Sequence, residues 1–328
     1  MSSNVARGGA SLGARPPAPR MRSAALASLR PKSSSAPVPR GDATDRARKS
    51  PQTHTPPFAA FRSMVWKYWR ENGRHKLPWR RTSDPYKILV SEVMLQQTQA
   101  DRVIPKYKEF LRWFPTVRAL ARAPLIDVLK VWSGLGYNRR AKFLHDAAIQ
   151  IVEKHRGKVP RDHESLRALS GVGDYTARAV RVFAFNEPDI LIETNIRTAI
   201  IQSFFRPSPN VRGRIKLGKV TDRDVATIAR RLAQRQHARE WHSALMDYGA
   251  HLKRSGVCNN HRSAHYTKQS KFEGSLRQLR GSMLKSLMGE GLNNDLRGRY
   301  SNTRVRGVLE GLKRDGLIVS HEGEWRIA

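Results

Sequence analysis

The sequence predicts an all-α protein that ends in a small α+β module. Beyond residue 57, apolar residues recur at the spacing of a helix face, as Phe61, Val65 and Trp69 do in the first helix. Strand patterns are nearly absent until residues 316–320 and 324–327, which flank a short polar turn and predict a β-hairpin. Many short helices joined by brief loops are typical of an all-α domain.

The helical patterns follow one another with clear breaks. The first ends before Leu77-Pro78-Trp79-Arg80, and Ser83-Asp84-Pro85 puts a capping residue and a proline where the second begins. The second helix runs from Tyr86 towards Gln99. The spacing predicts further helices at about 103–114, 118–133, 139–155, 163–168, 175–185, 195–205, 222–235 and 240–252.

Composition divides the chain into three segments. Residues 1–57 are rich in Ala, Pro, Ser, Gly and Arg, without an acid before Asp42, and predict a disordered basic tail. Their composition also fits an organelle transit peptide or a misread start codon, and no secretory signal is expected because no apolar run follows the first charges. Residues 58–271 form the helical domain, and residues 272–328 form the C-terminal module.

The C-terminal module combines two helical patterns, at about 275–288 and 303–314, with the predicted hairpin. Helices followed by a two-stranded wing indicate a winged-helix-like module. Basic residues make it a candidate nucleic-acid binder, namely Arg297, Arg299, Arg304, Arg306, Lys313 and Arg314. The alternative is a helical cap that only packs on the preceding domain.

The net charge indicates a polyanionic partner. The chain has 61 basic and 27 acidic residues, a formal charge of +34 that is spread along the whole length. This excess favours DNA or RNA over a membrane, since no stretch approaches the roughly 18 apolar residues of a spanning helix. The single cysteine, Cys258, excludes a disulfide framework and indicates a reducing compartment, for which we expect the cytoplasm at the nucleoid.

Two glycines mark a candidate phosphate site in the turn Ser170-Gly171-Val172-Gly173, which lies between two helical patterns. Glycine allows backbone angles that side chains forbid, and it lets a ligand approach the main chain closely. The N–H groups of the following helix point back at the turn, which makes a seat for one phosphate. An ordinary interhelical turn is the alternative, because Gly-x-Gly alone is a common pattern.

Two carboxylates lie in apolar surroundings. Glu92 is flanked by apolar residues from Ile88 to Leu95, so burial should favour its protonated form near neutral pH. Glu193 is also flanked by apolar residues, but it precedes a helix whose N-terminus favours the ionised form. Two such carboxyls can protonate a leaving group and stabilise a sugar cation. The alternative for each is a buried ion pair with an arginine such as Arg178 or Arg197.

Several motifs together resemble the MutY-type adenine DNA glycosylases, a branch of the helix-hairpin-helix DNA glycosylase superfamily. The resemblance covers about residues 58 to 252, and in combination its motifs are highly specific. They are Leu77-Pro78-Trp79-Arg80, Ser91-Glu92-Val93-Met94-Leu95-Gln96-Gln97-Thr98-Gln99, Trp132-Ser133-Gly134-Leu135-Gly136-Tyr137, Gly171-Val172-Gly173 and Met246-Asp247-Tyr248-Gly249-Ala250.

The resemblance implies a two-lobed helical fold that grips double-stranded DNA between its lobes and flips the target adenine out of the stack. Glu92 matches the general acid, Asn195 matches a supporting amide, and Glu193 falls where the family has an aspartate that stabilises the sugar cation. The hairpin would hold a DNA phosphate, with a possible monovalent cation. The residues that match its DNA contacts and the duplex wedge are Gly171, Val172, Gly173, Thr176, Gln96, Gln97 and Tyr137.

Tyr175 indicates the reaction subtype. Bifunctional relatives have a lysine at this position, and its amine forms a Schiff base with the sugar and cuts the strand. A phenol cannot do this. The resemblance therefore implies a monofunctional glycosylase that leaves the abasic strand intact.

The chain departs from the family pattern in three places. Glu193 is one methylene longer than the aspartate, and a displacement of about 1 Å can cost on the order of a hundredfold in rate. With one cysteine, the four-cysteine iron–sulfur cluster is expected to be absent, and Cys258, His261 and His265 are expected to form a metal-free loop rather than a zinc site. The segment after residue 275 is too short for the Nudix-like domain that reads 8-oxoguanine.

These features predict a monomeric base excision repair enzyme that hydrolyses the N-glycosidic bond of adenine opposite 8-oxoguanine or guanine, without a metal cofactor. A thymine or uracil glycosylase acting opposite guanine is the alternative within the class. A non-catalytic protein that binds mismatched DNA is the alternative outside it.

Overall fold

The computed structural model describes residues 57–205, 208–209, 215–216, 218–257, 259–264, 271–289 and 300–328. The predicted tail over residues 1–57 lies outside these ranges except for Pro57, and so do Cys258, His265, Arg297 and Arg299. Within these ranges the chain is mainly helical, which confirms the predicted fold class. Every helix that the structure describes is too short or too polar to cross a bilayer.

The helices and strands of the described chain follow the order that the sequence predicts, with one division and one additional strand pair. The helices are α1 (Phe58–Asn72), α2 (Pro85–Leu95), α3 (Ala100–Trp113), α4 (Val117–Arg122), α5 (Leu125–Trp132), α6 (Arg139–Lys154), α7 (His163–Arg167), α8 (Asp174–Phe185), α9 (Thr194–Phe204), α10 (Asp222–Ala233), α11 (Ala238–Arg254), α12 (Leu276–Leu287) and α13 (Asn302–Arg314). The strands are β1 (Ser208–Pro209), β2 (Ile215–Lys216), β3 (Ile318–His321) and β4 (Glu324–Ile327), paired antiparallel as β1–β2 and β3–β4.

The predicted helix at 118–133 is wrong as a single element, because the structure divides it into α4 and α5. Pro124 is the cause. Its ring disfavours the helical conformation of the preceding residue, and Ala123 accordingly adopts φ −71° and ψ 142°. Pro124 then starts α5 as its N-terminal cap.

Buried apolar residues form two cores, which correspond to the two predicted lobes. The first core contains α2 to α7, with Val90, Phe110 and Leu144 among its most buried side chains. The second core joins α1 to α9, α10 and α11 through residues such as Phe61 and Trp241. The first helix of the domain therefore packs in the same lobe as the last.

Helix α8 contributes to both lobes. Ala177 and Val180 are buried in the first core, whereas Ala179 and Val182 are buried in the second. Opposite faces of one helix thus hold the two cores together, and its N-terminal turn is placed where the lobes meet. This is also the helix that follows the glycine hairpin.

The C-terminal module consists of α12, α13 and the hairpin β3–β4, as the sequence predicts. It has no separate core among its described residues, because Leu279, Leu312 and Leu317 belong to the core of the first lobe. The hairpin pairs Ile318 with Ile327. The module therefore packs on the helical domain, and its boundary at residue 272 and its affinity for nucleic acid stay predictions.

Candidate active site

Glu92 is placed in the interior by α2. Asp84 caps this helix by accepting hydrogen bonds from the backbone N–H groups of Tyr86 and Lys87, at 2.9 and 3.3 Å. Eight of its eleven residues are buried, and Glu92 is 9 % exposed. Burial raises the pKa of Glu92 to about 8, and the charge of Glu193 contributes to the rise. The Glu92 carboxyl therefore holds its proton at neutral pH.

Glu193 is the N-terminal cap of α9. Its Oε1 atom accepts hydrogen bonds from the backbone N–H groups of Asn195 and Ile196, both at 2.8 Å. The Asn195 side-chain amide donates to Oε2 at 3.2 Å. These three donors fix the carboxylate at the start of the helix and engage both of its oxygens.

The prediction that the surroundings shift the two carboxyls in opposite directions is wrong, because the pKa of Glu193 is also raised. Burial is the largest cause, and it outweighs the two backbone N–H groups and the positive charges of Lys253 and Arg197. The groups that favour the ionised form nevertheless surround Glu193. Because the Glu193 charge in turn raises the pKa of Glu92, Glu92 is the carboxyl of the pair that takes up a proton first as the pH falls.

Tyr175 lies within electrostatic range of both carboxyls. It belongs to the first turn of α8, and its pKa is raised well above the usual value by burial, Glu92 and Glu193, in that order, with Arg197 acting against the rise. The phenol therefore stays protonated. The structure thus brings together four residues that the sequence singled out, namely Glu92, Tyr175, Glu193 and Asn195.

The segment that leads to Glu193 is fixed by a buried histidine. His242 Nε2 accepts a hydrogen bond from the Leu191 N–H at 3.2 Å, so its Nδ1 carries the proton and donates to the Ala238 carbonyl at 2.8 Å. Burial lowers the pKa of His242 to about 4, which keeps the ring neutral. A neutral His242 therefore holds the chain just before the carboxylate.

Gly249 allows α11 to approach α9 closely at Asn195. A Cβ atom added to Gly249 would lie 2.0 Å from the Asn195 carbonyl oxygen, closer than atoms can approach. The glycine therefore lets the backbone of α11 press against Asn195. The sequence motif Met246–Ala250 contained this residue, but its role depends on a contact between distant segments.

The glycine hairpin leads into α8 as the sequence predicts. Gly171 has φ 71°, and a Cβ atom there would lie 2.5 Å from Phe143 Cβ, so glycine is required. Gly173 has φ −86°, an ordinary backbone angle, so of the two glycines only Gly171 uses the left-handed region. Open space surrounds the position of a Gly173 Cβ, and Val172 is buried between the glycines.

The first turn of α8 offers backbone N–H groups to an anion. Gly173 is its N-terminal cap and supplies no side-chain hydrogen bond. Asp174 in this turn is paired with Arg178 at 3.0 Å and with His163 at 3.1 Å. Thr176 points inwards, where its hydroxyl accepts a 3.4 Å hydrogen bond from the Gln96 side chain, so only its backbone faces the hairpin.

The two segments that contain the predicted wedge residues, around Gln97 and around Tyr137, have an unusual backbone conformation. Gln97 has φ 55° and Tyr137 has φ 50°, both in the left-handed region that favours glycine. The Tyr137 side chain is 37 % exposed. Such conformations cost about 1–3 kcal/mol each and persist where the surroundings enforce them.

Arg140 enforces both conformations, and sequence reasoning missed it. This buried residue of α6 forms six hydrogen bonds, with the carbonyls of Val93, Met94, Gln96, Leu135 and Gly136 and the hydroxyl of Thr98. Burial lowers its pKa to about 10, at which it stays charged. One guanidinium thus ties the Gln97 segment to the Tyr137 segment. No sequence signal could have found it, because its partners are backbone atoms of distant loops.

An arginine-lined cleft of about 1030 Å³ opens beside Tyr175 and Arg197. Arg197 is held there by Asp222 through hydrogen bonds of 2.7 and 2.6 Å. The arginines that line the cleft are Arg178, Arg197, Arg223, Arg230 and Arg235, and the carboxylates are Asp174, Asp189 and Asp222. Arginines therefore outnumber carboxylates in the lining of this cleft.

The residues after α11 do not fit an iron–sulfur cluster. Such clusters are held by four cysteine thiolates, and the chain contains one cysteine. Instead Arg262, which is 7 % exposed, donates a hydrogen bond to the Phe205 carbonyl, and its own carbonyl accepts from the Val220 N–H at 2.9 Å. Among the residues that the structure describes, no group of three or more His, Cys, Asp or Glu side chains could hold a metal ion.

Comparison with known proteins places these features in a family. Residues 90–247 match the model of the HhH-GPD superfamily base excision DNA repair protein. The chain is 41 % identical to an adenine DNA glycosylase of Mycobacterium tuberculosis over 197 residues, which are 58 % of this chain and 62 % of that protein. It is 36 % identical to an adenine DNA glycosylase of Mycolicibacterium smegmatis over 235 residues, 67 % of this chain and 78 % of that protein.

A solved structure of a thermostable thymine-DNA glycosylase has a TM-score of 0.50 at 27 % identity, and the match covers 59 % of this chain and 86 % of that one. The chain spans less than two thirds of the length of the Mycobacterium tuberculosis relative, of which it covers 62 %. The chain belongs to the HhH-GPD superfamily of base excision DNA repair proteins.

Proposed function

We propose that the protein is a monofunctional DNA N-glycosylase that releases adenine mispaired with 8-oxoguanine or guanine. The observation that carries this proposal is the buried Glu92, which holds a proton at neutral pH beside the Glu193 carboxylate. The two carboxyls come from distant segments, and the charges of both raise the pKa of Tyr175, which follows the glycine hairpin. The similarity to adenine DNA glycosylases supports adenine as the base.

In the proposed reaction, Glu92 donates its proton to a ring nitrogen of the flipped adenine. The bond between the sugar C1′ atom and adenine N9 breaks, and its electron pair leaves with the neutral base. The Glu193 carboxylate stabilises the positive charge that develops on the sugar. Water then bonds to C1′ and gives its proton to the carboxyl pair, which restores the starting state. Asn195 keeps Glu193 in place through its 3.2 Å hydrogen bond.

Tyr175 supports hydrolysis over strand cleavage. Its phenol stays protonated beside the two carboxyls, and an oxygen cannot form the imine that a lysine forms with the sugar. The attacking group is therefore water. The product is an abasic site in an unbroken strand.

The proposed partner is double-stranded DNA, bound by a monomer. The N–H groups of α8 and the space over Gly173 suit one phosphate, with a monovalent cation as a candidate companion. The arginine-lined cleft and the net charge of +34 favour the rest of the strand. Gln96, Gln97 and Tyr137 would fill the gap that the flipped base leaves.

A thymine or uracil glycosylase that acts opposite guanine is the second candidate. The similarity to the thermostable thymine-DNA glycosylase structure favours it. Both candidates use the same hairpin and water chemistry. They differ in the base that is accepted beside Glu92 and Glu193.

Base release from a panel of A·8-oxoG, A·G, T·G and U·G duplexes tests the proposal. We expect the protein to release adenine from the first two and to leave the strand uncut until alkali is added. Borohydride should trap no covalent complex, because Tyr175 offers no amine. Release from the T·G and U·G duplexes alone would support the second candidate. A trapped complex would contradict the monofunctional mechanism.

A further inference from the structure

The C-terminal module reaches the wedge residue Tyr137. Arg277, in the first turn of α12, donates a hydrogen bond from Nη1 to the Tyr137 hydroxyl at 2.9 Å. Its guanidinium carbon lies 5.9 Å from the ring centroids of both Tyr137 and Phe272. One arginine of the module therefore contacts the ring that would enter the duplex.

Two guanidinium groups lie near the Tyr137 ring. Arg140 donates to the Gly136 carbonyl at 3.0 Å, and its guanidinium carbon lies 5.4 Å from the ring centroid. Trp132 Nε1 donates to the Gly136 carbonyl at 3.1 Å and fixes the same turn. These contacts fix the backbone of the loop that ends at Tyr137, whereas Arg277 donates a hydrogen bond to the hydroxyl at the far end of the ring. The Tyr137 hydroxyl is thus linked to α12 through Arg277.

Helix α12 is held firmly against the first lobe. Leu279 and Leu284 are 1 % exposed and belong to the core of that lobe. Asp315, at the end of α13, pairs with Arg139 of α6 at 3.4 Å and also with Arg280 of α12. Arg277 therefore belongs to a helix that is packed on the first lobe.

The face around Arg277 continues the exposed wedge. Phe272 is 60 % exposed and Leu276 is 50 % exposed, next to Tyr137 at 37 %. Aromatic and apolar side chains beside a guanidinium suit a surface that stacks on bases and contacts phosphates. The occupant that fits is the DNA duplex that the hairpin is proposed to hold, since this face adjoins Tyr137.

We propose that Arg277 is a positioning residue that sets the Tyr137 ring for insertion into the duplex, so that the C-terminal module takes part in opening the mispair. This inference rests on the proposed role of Tyr137 as a wedge. It assigns the module a function in base flipping beyond the packing that the fold requires.

The test separates opening of the duplex from base release. A duplex carries the fluorescent adenine analogue 2-aminopurine at the target position, and its emission rises when the base leaves the stack. The full chain, Arg277→Ala, Arg277→Lys and Lys285→Ala are compared at saturating protein. Lys285→Ala is the matched control, because it removes one positive charge from the exposed far end of the same helix.

We expect the equilibrium constant for moving the target base out of the stack to fall about tenfold in Arg277→Ala. This is the effect of losing one hydrogen bond to a charged donor. Arg277→Lys should recover part of this loss, since an ammonium donates to the hydroxyl but lacks the flat face that stacks. Lys285→Ala should match the unchanged protein. A duplex with a pre-opened three-base bubble should bind the unchanged protein and Arg277→Ala about equally.

Equal opening by Arg277→Ala and the unchanged protein would overturn the inference. An equal loss of binding to the bubble would also overturn it, because that result indicates general damage to the surface. If the unchanged protein opens the duplex but releases no base, the proposed enzymatic function fails and the role of Arg277 stands. If it does not open the duplex, both fail.

Discussion

Replacing Glu92 by glutamine is expected to lower the single-turnover rate of adenine release by about 10²–10⁴-fold at pH 7, the range for a positioned general acid. Glutamine has nearly the same shape, but it has no acidic proton to give to the base. Affinity for the mispaired duplex should stay within about twofold, because the hairpin and wedge that would bind DNA are unchanged. Quantitative base release and equilibrium DNA binding measure the two effects separately.

The matched control is Glu71→Gln, which makes the same change on the exposed end of α1. It should leave both release and binding unchanged. A protein that only binds mismatched DNA would show no release from the unchanged chain and no response to either substitution. That result would favour the alternative of a non-catalytic DNA-binding protein. The extra methylene of Glu193, compared with the aspartate of the family, is the sequence feature that favours this alternative.

Replacing Arg140 by lysine is expected to lower the free energy of unfolding by about 2–4 kcal/mol and to reduce base release from duplex DNA at least tenfold. A single ammonium cannot reach the six acceptors that the guanidinium joins, so buried carbonyls lose their donors. The strained segments at Gln97 and Tyr137 should then relax. Denaturant unfolding and single-turnover release measure the two effects.

The neighbouring substitution Arg139→Lys is the control for Arg140. The Arg139 side chain is 57 % exposed, and its pairing with Asp315 is a surface contact of at most about 1 kcal/mol. It should unfold and react like the unchanged protein. Full release by Arg140→Lys in a folded, less stable protein would show that the two wedge segments act without this link.

The fold was predictable because apolar spacing and helix breakers are local signals. The helices, the glycine hairpin and the C-terminal β-hairpin lie close to where the sequence indicates them, except that α2 ends at Leu95 and does not continue to Gln99. The division of the predicted helix at 118–133 follows from Pro124, which disfavours a helical conformation at the preceding residue. Apolar spacing alone predicts one continuous helix there. The distribution of the helices between two cores depends on contacts between distant segments, such as that of α1 with α11.

The acidic residues of the site were predictable from their apolar surroundings, and Tyr175 and Asn195 from the family resemblance. Glu92 and Glu193 are conspicuous because a carboxylate within an apolar segment needs a reason. Arg140 and Arg277 are two of many arginines in a chain with 61 basic residues, and nothing local distinguishes them. Their importance arises from partners in other loops or in another module, which only the folded chain brings together.

The error over Glu193 is one of magnitude. A helix N-terminus favours a carboxylate by about 0.3–1 kcal/mol, less than one pKa unit. Burial among apolar residues can raise a carboxyl pKa by more than this. The flanking apolar residues therefore decide the direction at Glu193 as they do at Glu92, and the helix only limits the rise.

The pKa of Glu92 also predicts a pH dependence of folding. Since the pKa is raised from 4.5 to about 8, the folded state binds this proton more tightly than the unfolded chain does. The contribution of Glu92 to the free energy of unfolding is therefore fully present below pH 4.5 and is lost as the pH rises to about 8. The same proton is the one that the proposed reaction consumes.

The pH profile of single-turnover adenine release tests this account most directly. With Glu92 as the acid, the rate at saturating protein should fall tenfold for each pH unit above about pH 8, and it should also fall at low pH as the Glu193 carboxylate takes up a proton. The residual rate of Glu92→Gln should lack this descending limb. A rate that rises through pH 8, or the same limb in both proteins, would contradict the assignment of Glu92 as the proton donor.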